Sequence, residues 1–236
     1  GRMNTQNDWT YHQVKLELEP ILGWKIFANV NYRINDYFHH LDNQKLYGYT
    51  RAGDPILLDG STSVLEETYR TNYFSPNIYT EYSKTVRNHN FKVMAGFQSE
   101  ETKTRNVSAS RQGILVSSLP VLSATSGTDL NGVTVAPVVS GQYADWATAG
   151  YFGRLNYDYR GRYLLEMNVR YDGTSRFRSD KQWKLFPSVS AGWNVAREGF
   201  WKIISHVVNT LKFRGSYGEL GNQNTTNWYP TYPTMP

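Results

Sequence analysis

The run YFGRLNYDYRGRYLLEMNVRYDGTSRF, Tyr151–Phe177, limits the possible folds more than any other stretch of the chain. Apolar and polar residues alternate with a period of two on both sides of a short polar interruption. In Tyr163–Asp172 the odd positions are Tyr163, Leu165, Met167, Val169 and Tyr171; the even ones include Glu166, Asn168, Arg170 and Asp172, and only Leu164 breaks the rule. Successive side chains of a strand point to opposite faces, so each set owns one face. Upstream, Tyr151, Leu155, Tyr157 and Tyr159 share one parity, and Arg154, Asn156 and Asp158 share the other. Placing Tyr159 opposite Tyr163 across Arg160-Gly161-Arg162 makes the two apolar faces coincide, as a hairpin register requires.

The same rhythm recurs along the chain. Trp24, Ile26, Ala28, Val30, Tyr32 and Ile34 alternate with Lys25, Asn29, Asn31 and Arg33. Phe91, Val93, Ala95 and Phe97 alternate with Lys92, Gln98 and Glu100, and Val189, Ala191, Trp193 and Val195 with Ser188, Ser190, Gly192 and Asn194. Leu211, Phe213 and Tyr217 alternate with Lys212, Arg214 and Ser216, and weaker strands are expected over Tyr11–Glu19 and Tyr69–Thr85. Roughly eight strands result, several near ten residues long, enough to cross a bilayer when tilted. The connections alternate in length. Short turns are expected at Pro20–Gly23, Arg87–Asn90 and Arg160–Arg162, and long polar loops at His39–Glu67, Thr104–Tyr143 and Thr174–Gln182. A meander with one decorated rim is the pattern of an outer-membrane barrel. One connection on the short side is larger: Arg197–Asn209 carries Phe200, Ile203, Ile204, Val207 and Val208 at helical spacing. It reads as a helix under the short-turn rim, with Trp201 either an interfacial anchor or a hydrophobic cap.

Composition narrows the function classes. The 236 residues permit one large all-β domain or two small ones. With 18 tyrosines and 7 tryptophans, the chain is rich in side chains that suit strand ends at the headgroup level. No stretch approaches the roughly 20 consecutive apolar residues of a spanning helix. The opening GRMNTQNDWT lacks the basic start and apolar core of a signal peptide, as expected of either a cytosolic protein or an internal piece of a longer one. There is no cysteine, which removes disulfides and thiolate chemistry. The formal charge of +5 comes from basic residues scattered singly among acids, which gives no footprint for nucleic acid.

Enzymatic constellations are missing. His39 and His40 are neighbours, so in an extended segment they point apart and do not chelate together. No Gly-x-Ser-x-Gly elbow occurs. The pairs Glu66-Glu67 and Glu100-Glu101 face opposite sides of a strand and make no glycosidase pair. DGTSRFRSD carries oxygens without calcium-loop spacing. The residues alone leave two architectures: a membrane wall, or a soluble β-sandwich acting as a glycan-binding module. In the wall, Leu165, Met167, Val169 and Tyr171 are exposed in the isolated chain; in the sandwich they are buried under a second sheet.

Motifs within Tyr151–Gln223 add a resemblance. Gly153 follows an aromatic pair; Tyr171–Phe177 forms a Tyr-Asp-Gly-Thr-Ser-Arg-Phe corner; then come Phe186-Pro187-Ser188, Ala191-Gly192-Trp193 and Ser216-Tyr217-Gly218-x-x-Gly221-Asn222. Their order and spacing resemble the barrel region of the SusC/RagA family, TonB-linked outer-membrane transporters of Bacteroidetes. The first 150 residues resemble it only in style. The resemblance implies an all-β antiparallel transmembrane segment, about eight strands of a barrel of about 22. It implies that residues 1–236 are a middle piece of one barrel domain without its plug, since an open sheet leaves edges that are costly in lipid. It implies import of an oligosaccharide, or alternatively a peptide, across the bacterial outer membrane. The partners implied are a SusD-like surface lipoprotein, TonB acting through segments elsewhere, the remaining barrel and plug, and lipid; neither cofactor nor catalysis is implied. In this picture Arg154, Asn156, Glu166, Asn168, Arg170 and Asp172 face the lumen and plug. Tyr47, Tyr49, Tyr143 and Trp146, expected in the long loops, are the candidates for contact with ligand or lid.

Overall fold

The computed structural model describes residues 1–223; the stretch NWYPTYPTMP, loop-like in its proline-rich composition, lies outside the described residues. Eight strands form one antiparallel sheet in the order β1-β2-β5-β6-β7-β8-β9-β10. They are β1 (Arg2–Ile21), β2 (Trp24–Asn43), β5 (Ser63–Val86), β6 (His89–Gln112), β7 (Val138–Tyr159), β8 (Tyr163–Thr174), β9 (Trp183–Asn194) and β10 (Lys212–Gly218). A separate hairpin joins β3 (Leu46–Tyr49) to β4 (Pro55–Asp59). With that hairpin set aside, sheet order follows chain order, the meander that the alternating connections predict.

The register at the centre matches the sequence. Tyr159 stands opposite Tyr163, and the pairing continues to Tyr151 opposite Tyr171 and Thr148 opposite Thr174. The turn between them uses positive φ at Arg160 (55°) and Gly161 (65°), the geometry whose twist suits a tight hairpin. A side chain at Gly161 would also collide with the Arg197 guanidinium, which lies over the turn.

Three expectations are corrected. First, the strands outrun the apolar alternation: β1 and β2 hold 20 residues each, β5 and β6 24 each, and β7 22. The added lengths, such as EETKTRNVSASRQ in β6, are polar on both faces. Hydropathy carries no period there, while backbone pairing continues. Second, the long loops shrink accordingly. Tyr143 and Trp146 belong to β7, and Tyr47 and Tyr49 to β3, so none of the four is in irregular loop. Third, Arg197–Asn209 is not an α-helix. It forms the 3₁₀ turns Val195–Arg197 and Gly199–Ile203 followed by further turns. A segment this short pays helix nucleation for few bonds, and tighter i→i+3 closure is the usual outcome.

The chain divides into two compact units. One comprises residues 1–11, 33–73 and 102–145; the other comprises 12–32, 74–101 and the described residues from 146 onward. In the first unit the buried side chains are mostly polar: Asn35, Asp42, Thr102, Thr104 and Thr125, with Val64 among them. His40 reaches Glu66 Oε1 through Nδ1 at 2.7 Å and lies 3.5 Å from the fully buried Asp42 through Nε2. Its neighbour His39 instead meets Thr5 Oγ1 at 2.9 Å. The second unit holds the three short turns and the whole of β8, β9 and β10.

Candidate functional site: a wall with two unlike faces

Both faces are defined most clearly in the second unit. On β8 the apolar parity is largely open: Tyr163 is 48% exposed, Met167 45%, Val169 44% and Tyr171 44%, whereas Leu165, also expected to be exposed, is half-buried. Val93 on β6, Leu185 and Val189 on β9, and Phe213 and Tyr217 on β10 are exposed as well. Among the described residues only Val64 and Val195 are buried hydrophobics. A sandwich needs a shared interior of interdigitated apolar side chains. These apolar faces have none, so the soluble alternative loses its physical basis.

The exposed face is banded. At the short-turn end, Tyr159, Tyr163, Trp193 and Phe213 stand directly opposite one another across β7, β8, β9 and β10. Their rings form a row, with centroids 6.3 Å apart for Tyr159–Tyr163 and 6.4 Å for Trp193–Phe213. At the other end, Phe97 meets Tyr151 at 5.1 Å, Tyr151 meets Trp183 at 6.3 Å, and Tyr171 stacks on Trp183 at 5.0 Å. Between the rows β8 presents Leu165, Met167 and Val169. Tyr163 and Tyr171 are eight residues apart on one strand, about 27 Å along it. With the tilt of roughly 35–45° usual for such strands, that is about 19–22 Å along the bilayer normal, somewhat less than the outward apolar band of about 25 Å between two aromatic girdles.

The opposite face is polar and cross-linked. Arg154 Nε donates to Asn168 Oδ1 directly across the β7–β8 pair, at 2.5 Å. Asn168 Nδ2 donates to Glu166 Oε1 at 2.9 Å and to Ser188 Oγ on β9 at 3.3 Å. Arg170 grips Asp172 with two bonds, Nε to Oδ2 at 3.0 Å and Nη2 to Oδ1 at 2.9 Å. Asn156 stands opposite Glu166, and both border a depression shared with Lys92, Asp158, Ser190 and Arg214. All six polar residues singled out by alternation therefore share one face, and five of them are hydrogen-bonded to one another or to Ser188.

Alternation missed an aromatic row on this same face. Phe27 stacks on Tyr79 at 4.6 Å, Tyr79 meets Phe152 at 6.4 Å, and the Arg170 guanidinium lies 5.8 Å from the Phe152 ring centre. Gly96 makes room between them: a Cβ there would lie 2.5 Å from Tyr79 Cβ and 2.6 Å from Phe152 Cζ. The sequence signal for the row was a set of aromatic residues on the wrong parity.

The four aromatic candidates separate. Tyr47 and Tyr49 are 49% and 74% exposed on the β3–β4 hairpin. Tyr143, 60% exposed, borders a cleft in the first unit with Asp36, Tyr37, Tyr69, Arg70 and Arg105. Trp146 gives one ring face to Arg176, whose guanidinium carbon lies 4.4 Å from the ring centre.

Comparison with known proteins agrees with this geometry. The family model described as TonB dependent receptor-like, beta-barrel matches residues 1–235. The chain is 31% identical over 203 residues to the TonB-dependent receptor SusC of Bacteroides thetaiotaomicron, covering 80% of this chain and 19% of that protein. It is 30% identical over 186 residues to TonB-dependent receptor P26 of Formosa agariphila, covering 77% of this chain and 18% of that one. The chain thus spans less than a fifth of the length of these curated relatives. A solved structure of the RagAB peptide importer in its open-open state shares the fold, with a TM-score of 0.70 at 21% identity over 93% of this chain and 24% of that chain.

Proposed function

Because the chain belongs to the TonB-dependent receptor-like β-barrel family, of SusC/RagA type, and is an outer-membrane protein, we propose that it is a wall segment of a TonB-dependent nutrient importer. The observation that carries the reading is the exposed apolar band between two aromatic girdles, backed by a hydrogen-bonded polar face. The band meets lipid. The polar face, with Arg154, Asn156, Glu166, Asn168, Arg170 and Asp172, meets the lumen and plug. β1 and β10 each pair with one neighbour here, and the remaining barrel strands complete their edges, since an open edge has no partner in hydrocarbon.

The cargo is an oligosaccharide, with a peptide as the second reading. Tyr47, Tyr49 and Tyr143 present open rings that suit stacking on sugar faces or contact with a SusD-like lid. Trp146 has one face already committed to Arg176 and plays the lesser part. TonB acts through segments outside this chain.

The test uses the full-length protein that contains this chain, in its native outer membrane with its SusD-type partner. Uptake of labelled oligosaccharides and of labelled peptides is measured with and without TonB. TonB-dependent oligosaccharide uptake, lost when the gene is deleted, is the expected result. Uptake of peptides alone overturns the cargo, and undiminished uptake without TonB overturns the mechanism.

A further inference from the structure

The connection between β9 and β10 leaves a compact group of apolar side chains in solvent. Phe200 is 61% exposed, Ile203 79% and Val207 75%, with Ile204 and Val208 each at 42%. Lys202, Ser205 and His206 are interleaved with them and are also exposed. The segment is nevertheless held in one shape. Trp201 Nε1 donates to Val208 O at 2.8 Å and closes it on itself, and buried Val195 anchors its start.

Its position is set by Glu198, the residue just before Gly199. One Glu198 oxygen accepts from the Trp193 indole N–H at 3.2 Å, and the Tyr163 hydroxyl lies near enough to act on the same carboxylate. Arg162 Nη1 pairs with its other oxygen at 3.2 Å. Tyr163 and Trp193 are two members of the short-turn girdle, facing each other across β8 and β9. The carboxylate therefore fastens the segment to the polar tips of the belt, on the apolar face of the sheet. The Arg197 guanidinium lies over the Gly161 turn beside it.

We infer that Gly199–Val208 is an interfacial element on the short-turn side, which in outer-membrane barrels is the periplasmic one, with Phe200, Ile203 and Val207 dipping into the headgroup–acyl boundary. This rests on the proposal that the girdled face meets lipid. The surface is continuous with that face through Glu198, Trp193 and Tyr163, which argues for lipid as its occupant. The interleaved Lys202 and the neighbouring Arg197 match anionic headgroups, and an apolar cluster edged by basic residues is what such elements present to membranes. Trp201, read from the sequence as either an interfacial anchor or a hydrophobic cap, closes the segment on itself through its indole N–H.

The experiment places a nitroxide singly at Phe200, Ile203, Val207, Ser205 and Met167 of the full-length protein, on a background with no other cysteine. The protein is reconstituted in phosphatidylethanolamine–phosphatidylglycerol vesicles. These positions are exposed or semi-exposed side chains, and heat-modifiable migration confirms that each variant is folded. Collisions with oxygen and with a water-soluble nickel chelate are compared. The expected result is oxygen access with nickel exclusion at 203 and 207, at shallower depth than 167, and several-fold greater nickel access at 205. Nickel access at 203 and 207 equal to that at 205 places the segment in water and overturns the inference. Shielding from both reagents places it against protein and also overturns it. In both cases a lipid-immersed 167 leaves the wall reading standing. Nickel access or full shielding at 167 removes the wall reading, and this inference with it.

Discussion

Tyr163 and Trp193 face each other across β8 and β9, and the Trp193 indole N–H donates to the Glu198 carboxylate at 3.2 Å. One ring of the belt is thus tied to an acceptor that lies outside the strands. The Trp193 N–H, then the Tyr163 hydroxyl, then the Arg162 charge hold the Glu198 carboxyl below the usual carboxylate range. A group with a depressed folded-state pKa contributes stability above its unfolded pKa and loses it as pH falls through the folded value. Glu198→Gln is therefore expected to lower the heat-modification temperature at neutral pH. The gap to wild type closes in acid, below the normal carboxylate range. A gap that is constant with pH would remove the carboxylate from this role.

Met167 lies midway between the girdles on the exposed parity. Arginine at the bilayer midplane costs about 2–4 kcal/mol on a lipid face. Met167→Arg is expected to reduce the folded protein recovered from outer membranes, whereas Asn168→Arg, one residue on, is spared that cost. Equal yields for the two variants would refute the facing assignment.

Arg170 and Asp172 are bonded through two contacts, yet their side chains retain 41% and 33% exposure. Pairs this open contribute roughly 0.2–1 kcal/mol. A double-mutant cycle with Arg170→Ala and Asp172→Ala is expected to show coupling in that range by denaturant unfolding, with a larger effect on transport if the pair seats the plug. Unchanged uptake in the double variant would reduce the pair to local bracing.

Gly96 is sized for the Phe152 ring. Gly96→Ala sets a methyl against Tyr79 Cβ, the Phe152 ring and the Ile78 carbonyl, only the second of which a side-chain rotation relieves, and overpacking of this kind costs about 1–3 kcal/mol. The companion Gly96→Ala/Phe152→Leu, with a smaller neighbour, is expected to recover part of the loss. Both are read by thermal unfolding of the purified protein.

Much of the wall was legible because period-two alternation is a direct projection of strand geometry. Odd and even positions in Tyr163–Asp172 must face opposite ways, so parity together with the short Arg160–Arg162 turn set the register Tyr159 to Tyr163. The polar strand extensions were not legible. Ser, Thr, Asn and Arg on both parities of β6 carry no hydropathy contrast, and only pairing with a neighbour reveals them as strand. The same gap moved Tyr143 and Trp146 from an expected loop into β7.

The candidate site divides along the same line. By itself the sequence determined which residues share a face, the order of strands, the side with short turns and the family motifs, because these depend on local periodicity and spacing. Tertiary structure alone decided which residues meet across strands. It joined Trp193 to Phe213 in one girdle, set Phe27, Tyr79 and Phe152 in a row over Gly96, and brought the Trp193 indole onto Glu198. Such contacts bring together residues far apart in the chain, and they depend on inter-strand register and side-chain reach, neither of which a one-dimensional pattern encodes.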